Sequence, residues 1–536
     1  MTRYLSFILN VLVFGVVLAT TSLTFETNDD VVSFFQTSGY LTGQPDGRLI
    51  FSHRWVGEIL AWLYGALPGP NWYVWYLYAA LIFSNVLITK LLVENNAQAA
   101  VISKGKYWKL LPPIAILSAT IVWNLLFFCT ALLRPQFTIA AMWLGAAGWF
   151  WLFCKLPFRD DLEKSLTKSV MSWLRQDKSL FKHFFIGIGA LLVSALVRWQ
   201  AFVGISILLV PVLGYYMKAP MRRFWFGFAG IVGLLLYLNE HLNQQNQPLE
   251  TSIAYQMAID AVVNGPNNLD SITIKNKQFT ANDLNLLQGW FWVDKTVFSP
   301  KKIIHLSEGI RQWRTPNQSL HHLMSNVYYN WPHVLVWLLV GLGLWKYSVK
   351  YQRKQVLWVG LWLCLLLGAL AMTSRTPFHV LFPFVALLAA AVSIVHKTDW
   401  TKLRWPLVIL LGTSQMYALY HCHLKNSAYT AAYQRNVTHL KQNSTKLYVV
   451  RGAAFPYEGS FSWWYKPQEQ LHNLLPTGYL IHTPLYNDIL RQWNIDNLAP
   501  ALLQRNDIQL VDAPMEALQR FYLEKYQLKV DLNLKK

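Results

Sequence analysis

Apolar runs of near membrane-spanning length recur along this chain, at 4–24, 72–93, 110–128, 136–154, 184–197, 201–217, 224–239, 331–346, 355–372, 378–395 and 405–421. A helix needs roughly 20 apolar residues to cross the hydrocarbon layer of a bilayer. That layer admits only structures that satisfy their own backbone, so runs of this kind restrict the fold more than any other feature. The expected fold class is mainly α, a polytopic membrane protein of about 11 transmembrane helices. Composition points the same way: 54% of the 536 residues are hydrophobic and 14% charged, against about 25% charged in a soluble domain. The 25 Trp and 26 Tyr suit repeated crossing of the membrane–water boundary, where amphipathic rings collect.

The net charge of +20 could suit a nucleic-acid binder, but its distribution speaks against one. With the N-terminus placed inside, the inner loops are 103–109, 155–183, 218–223, 346–354 and 396–404, all rich in Lys and Arg. The short outer turns, 129–135, 198–200 and 373–377, each hold one Arg and no Lys. This is the alternation of the positive-inside rule. It predicts a multi-pass membrane protein with its N-terminus inside and its C-terminal domain outside; the resemblance described below implies that the membrane is a bacterial cytoplasmic (inner) one. The first run also has the shape of a leader with small residues near 19–22, and cleavage there would leave residue 25 outside all the same.

Two units are expected: a transmembrane domain, 1–421, with external loops 25–71 and 240–330, and a small α/β external domain, 422–536. In the first loop Trp55, Ile59, Leu60 and Leu63 recur at helical spacing, with His53, Arg54 and Glu58 on a more polar side, which predicts a helix lying in the interface. In the tail, "KLYVV" and "IQLVDA" predict strands, and 484–503 and 514–526 helices. The four cysteines, Cys129, Cys154, Cys364 and Cys422, form neither a disulfide framework nor a zinc pattern. No P-loop, dinucleotide fingerprint, zinc helix or nucleophile elbow is present, so chemistry is expected at the outer boundary, without a nucleotide.

Candidate site residues follow from position. Asp29 and Asp30 stand where the chain first leaves the membrane, in "FETNDDVVSFF". Thr27-x-x-Asp30 has the form of a capping box, and a carboxylate there could equally serve as a general base. Arg134, Arg198 and Arg375 sit singly at outer ends of apolar runs, Pro following the first directly and the third after two residues. Snorkelling explains one such Arg; three together could clamp a phosphate, since guanidinium is planar, bidentate and always charged. His53, Arg54, Glu58, His379 and Tyr73 are candidates for lining the same cavity.

The stretch "NDDVVSFFQTSGYLTGQPDGRLIFSHRWVGEILAWLYGALPGPNWY" and the late "RTPFHVLFPFVALLAA" resemble the GT-C superfamily of membrane glycosyltransferases, in particular bacterial envelope members akin to aminoarabinose transferases and protein mannosyltransferases. The resemblance covers about residues 1–421 and leaves the tail aside. It implies a GT-C-like fold and transfer of a sugar from a polyprenyl-phosphate donor to a glycan, lipid or protein acceptor on the outer face, with inversion. It implies that Asp29 or Asp30 is the base and that Arg375 contacts the donor phosphate; Arg134 and Arg198 join it by topology alone. Asp29 is favoured as base because Asp30 holds the better capping position, and nearby Arg is expected to hold the carboxyl pKa down. The single Arg of "TSRTPF" leaves monophosphate and diphosphate donors both open, and divalent-metal dependence is open too. Membrane lipids, the donor and the acceptor are the expected partners, and nucleic acid is not. The alternatives are a polysaccharide polymerase or ligase, for which Arg311, Arg314, His321 and His322 of the 240–330 loop would matter, and a transporter or lipid flippase, which should show charges near the midplane and repeat symmetry.

Overall fold

The computed structural model describes residues 2–102, 120–121, 123–155, 178–214, 221–264, 279–308, 316–329, 334, 338, 350–373, 377–396, 405–451, 455–478 and 480–532. Arg311, Arg314 and Arg375, most of the expected spans 110–128 and 331–346, and most of the basic inner loops lie outside these residues.

Among the described residues the chain is mainly helical with one small sheet. The first part comprises α1 (Thr2–Thr20), α2 (Asn28–Ser38), α3 (Arg54–Ala66) and α4 (Trp72–Ile102). A π-helical turn at Asn124–Phe128 runs into the short α5 (Cys129–Leu133), followed by α6 (Phe137–Lys155), α7 (Lys178–Val197), α8 (Trp199–Gly214) and α9 (Met221–Gln244). The stretch 247–329 holds α10 (Gln247–Asn264), α11 (Ala281–Gln288), α12 (Pro300–Glu308) and α13 (Pro316–Tyr329). Then come α14 (Lys350–Thr373), α15 (Phe378–His396) and α16 (Trp405–Gln442).

The core is built round α6, which is buried from Phe137 to Leu152 and packs against α4, α7, α8 and α15. Small residues make this approach possible. A Cβ at Gly145 would stand 2.9 Å from the Ser194 hydroxyl, and one at Gly148 2.8 Å from the Gly187 carbonyl. Close backbone contact of this sort is how apolar helices associate when burial alone offers no gain. The break expected between 184–197 and 201–217 falls at Arg198, between α7 and α8.

Two described helices are long and apolar enough to cross a membrane, over Trp72–Glu94 and Phe137–Lys155. Five shorter apolar stretches stand beside them: Phe7–Thr20, Phe181–Val197, Trp199–Leu209, Leu357–Met372 and Phe378–Ile394. Several carry large apolar side chains on their outer faces, among them Phe7, Ile8, Leu12 and Val16 of α1 and Leu357, Trp358, Leu361 and Leu365 of α14.

The tail is α/β: β1 (Leu447–Val450), β2 (Leu474–Pro476), α17 (Pro484–Gln492), α18 (Leu498–Gln504), β3 (Ile508–Val511) and α19 (Met515–Tyr526). Its three strands are parallel in the order β2-β1-β3, with Val449 opposite Leu475 and Leu510. β1 is buried along its whole length, as befits a central parallel strand. Two tail expectations need correction. The sheet has a third strand, "LLP", too short to carry a period. The helix expected over 484–503 is two, because the chain turns at Asn494 with φ 51°. α16 runs unbroken past 421, where the two units were expected to meet. Its 38 residues span about 57 Å at 1.5 Å per residue. The stretch 279–308 packs on the tail: Lys525 pairs with the buried Asp283 at 2.6 Å, and the Asp294 carboxylate accepts from Asn497 and Tyr526.

Candidate active site

Asp30 lies in the first turn of α2 and is fully buried. Its Oδ2 accepts from the Thr27 hydroxyl at 2.7 Å. Its Oδ1 accepts from the Tyr73 hydroxyl at 2.9 Å and from the Phe137 N–H at 3.0 Å. The expected capping box is not formed: Thr27 is the N-cap of α2, but its side chain donates to Asp30 and caps no backbone N–H. The Asp30 carboxyl caps α6 instead, and so ties α2 to α4 and α6. Burial pushes its pKa up to about 8, against the opposing pull of its three donors. The expectation of a carboxylate held ionised by neighbouring Arg is therefore overturned for Asp30. Desolvation outweighs the hydrogen bonds, and its neighbours are hydroxyls and an amide rather than guanidinium groups. A carboxyl mostly protonated at neutral pH is a poor proton acceptor there.

Asp29, one residue earlier, is half-buried. Its carbonyl accepts from the Ser33 hydroxyl at 2.8 Å. Successive helix positions are turned by about 100°, so its Cβ leaves the helix in a different direction from that of Asp30.

Arg198 caps the gap between α7 and α8. Its guanidinium lies over the Phe137 ring at 4.6 Å and the Phe51 ring at 5.5 Å, and those two rings are stacked at 6.0 Å. Its Nη1 is buried and has no hydrogen-bond partner among the described residues. Phe137 thus touches both candidate groups, Asp30 through its N–H and Arg198 through its ring. His379, in the first turn of α15, lies within electrostatic reach of Arg198. The neighbouring Phe378 ring lies 4.7 Å from the Arg134 guanidinium. Arg134 and Arg198 therefore flank one helix start. Arg134 is already engaged: its Nη1 stands 3.5 Å from Glu26, and its Nε donates to the Cys422 sulfur at 3.5 Å.

The remaining expected lining residues divide. The His53 N–H donates to the Leu196 carbonyl at 2.8 Å, two residues before Arg198, and its ring accepts from the Trp55 N–H as the N-cap of α3. Arg54 pairs with Glu58 at 3.2 Å and donates to the Leu242 carbonyl at 2.9 Å, which ties α3 to α9. Tyr73 is the hydroxyl donor to Asp30.

Several site residues gave no signal in the sequence. Glu26 is one, although it stands only three residues before Asp29; burial raises its carboxyl pKa while Arg134 and Lys425 pull it down. Phe51, Phe137 and Phe378 belong to apolar or loop stretches with nothing to mark them as a platform for Arg. The strap 22–26 is held along α16 by Asn426, which accepts from the Thr24 hydroxyl at 3.0 Å and donates to the Ser22 carbonyl at 2.9 Å. The Phe25 N–H donates to the Glu458 carbonyl at 3.1 Å, which brings the tail to the same place.

Among the described residues no group of three His, Cys, Asp or Glu is placed to hold a metal ion. Compared with known families and with characterised proteins, the sequence matches no family model and no curated relative.

Proposed function

We propose that this protein is a polytopic membrane glycosyltransferase of the GT-C kind. It would move a sugar from a polyprenyl-phosphate donor to an envelope acceptor at the outer face of a bacterial inner membrane. The observation that carries the reading is Arg198: a guanidinium held against two phenyl rings, with a buried nitrogen that has no partner among the described residues, next to the helix start that Asp30 caps. Leaving a buried donor unpaired is costly, and an anion is the ligand that would relieve it. The apolar faces that α1 and α14 turn outward support a lipid environment, because a water-soluble surface rarely carries such patches.

The chemistry assigns Asp29 as base. Its carboxylate takes the proton of the acceptor hydroxyl as that oxygen bonds to the anomeric carbon. The bond from the anomeric carbon to the phosphate oxygen breaks, and the lipid phosphate leaves with its negative charge met by Arg198. One displacement inverts the anomeric centre. Asp30, near-neutral and fully bonded, holds the first turn of α2 in place.

The test is transfer in membranes supplied with a panel of undecaprenyl-phosphate sugars, read as released undecaprenyl phosphate. Asp29→Asn should lower the rate about a hundredfold or more in a folded protein, while Asp30→Asn retains most of it. A parental rate for Asp29→Asn would sink the mechanism.

A further inference from the structure

We propose that the C-terminal domain dips an aromatic loop, Phe461–Tyr465, into the outer boundary of the bilayer, with Trp464 as its lipid contact; this rests on the membrane reading above. The loop leaves the tail and joins the start of α4 edge to edge. Trp464 forms an antiparallel bridge with Pro70, the Tyr465 N–H donates to the Gly69 carbonyl at 2.7 Å, and the Asn71 N–H donates to the Trp463 carbonyl at 2.9 Å.

Depth follows from the Trp463 ring. It packs 6.1 Å from Phe14 of α1 and 4.7 Å from Tyr78 of α4. Phe14 lies six residues before the outer end of α1, and Tyr78 six residues after the start of α4. At 1.5 Å per residue both lie about 9 Å along their helices from the outer ends. Trp463 therefore reaches below the level at which α4 begins, in the seam between two helices that the membrane reading places in lipid. Trp75 supports it from the side, its indole N–H donating to the Trp463 carbonyl at 3.3 Å.

The Trp463 ring is turned into the seam, whereas the next residue, Trp464, is 59% exposed. It bridges Pro70 of the α3–α4 turn, and the chain on either side of that turn also exposes Trp62, Leu67 and Trp75. Lys466 follows two residues later, exposed and paired with Glu469 at 3.2 Å. An indole beside a lysine at a helix-end level matches the headgroup–acyl boundary, where Trp is enriched and Lys reaches back to water. Trp463 packs on both α1 and α4, which expose Leu12, Val16, Trp75 and Phe83 of their own, so the occupant that Trp464 fits is the lipid that the membrane reading places round those helices.

The full chain in lipid nanodiscs tests this. Cys364→Ala and Cys154→Ala remove the accessible thiols, Cys129 and Cys422 being buried. A thiol-reactive fluorophore is then placed at Trp464→Cys, at Leu523→Cys on the exposed side of α19, or at Leu12→Cys on α1. Because Trp464 is largely exposed, its replacement leaves the packed core intact. Nitroxide attached shallowly to lipid should quench the label at 464 several-fold more than that at 523, and aqueous iodide should do the reverse. Iodide quenching at 464 equal to that at 523, with lipid quenching intact at 12, overturns the proposal and leaves the membrane reading standing. Absence of lipid quenching at 12 overturns both.

Discussion

Two polar clusters lie inside this helical body, and they differ in how completely they are satisfied. Between α1, α4 and the π-helical turn, Asn10, Asn85 and Asn124 are all fully buried. Asn10 donates to Thr89 at 2.8 Å, Asn85 to Asn124 at 2.9 Å and to the Asn10 oxygen, Trp123 to the Asn85 oxygen at 2.7 Å, and Asn124 to the Thr120 carbonyl at 2.8 Å. Every amide oxygen and nitrogen of the three is used. Around the start of α6, Asp30 is equally complete, but Arg198 keeps a buried nitrogen without a partner among the described residues. Burial alone thus does not mark a working group. A closed network needs nothing further and holds helices in register, whereas an open one has capacity left for a ligand.

The contrast can be broken most directly at Arg198. Charge-assisted hydrogen bonds contribute about 1.5–3 kcal/mol. Arg198→Gln should therefore weaken binding of undecaprenyl phosphate by roughly tenfold to a hundredfold, measured by titration of the purified protein, with its melting temperature little changed. Unchanged affinity would return Arg198 to a structural role.

Asn85→Leu should behave in the opposite way. It strands the amides of Asn10 and Asn124 and the indole of Trp123, at a cost of about 1–2 kcal/mol. Thermal unfolding should report that loss while lipid-phosphate affinity stays at the parental value. A drop in affinity with no loss of stability would make the amide cluster part of the site.

Asp30 sharpens the comparison through pH. Its folded pKa, about 8, lies above the unfolded value of about 3.9. The folded state therefore holds the extra proton between these values, and the associated stability is complete below about 4 and lost as pH rises through about 8. Asp30→Asn mimics the protonated group: its oxygen can still accept from Tyr73 and Phe137, and its amide can donate to Thr27. The variant should fold and show a shallower fall of melting temperature between pH 5 and 9. Equal slopes in variant and parent would mean that Asp30 is ionised in the fold.

The smallest effect is expected at Thr27→Val, which keeps the branched shape and removes one donor to Asp30. About 1 kcal/mol or less of stability should go, with transfer nearly unchanged. A loss of transfer as large as that of Asp29→Asn would place Thr27 in the chemistry.

Much of the architecture was legible in advance because it depends on local pattern. The apolar runs over 72–93 and 136–154 became α4 and α6, the short "RWQ" break became the α7–α8 boundary, and "KLYVV" and "IQLVDA" became β1 and β3. Helix and strand periods are written in neighbouring residues. The third strand escaped because three residues ending in Pro carry no period, and the turn inside 484–503 escaped because a left-handed Asn leaves only a weak trace.

The acid pair at 29–30 shows where local pattern stops. Sequence determined that two carboxylates would stand at the first exit from an apolar run, on the first turn of a helix. It could not determine that burial would raise the pKa of Asp30, since the Asp30 partners Tyr73 and Phe137 are 43 and 107 residues away. In the same way Arg134 meets Glu26, Arg198 meets Phe51, and Trp463 meets Phe14, all across long stretches of chain. Periodicity depends on residues three or four apart, whereas a pKa or an unpaired nitrogen depends on desolvation and on donors brought in from elsewhere. Those quantities exist only once the helices have packed.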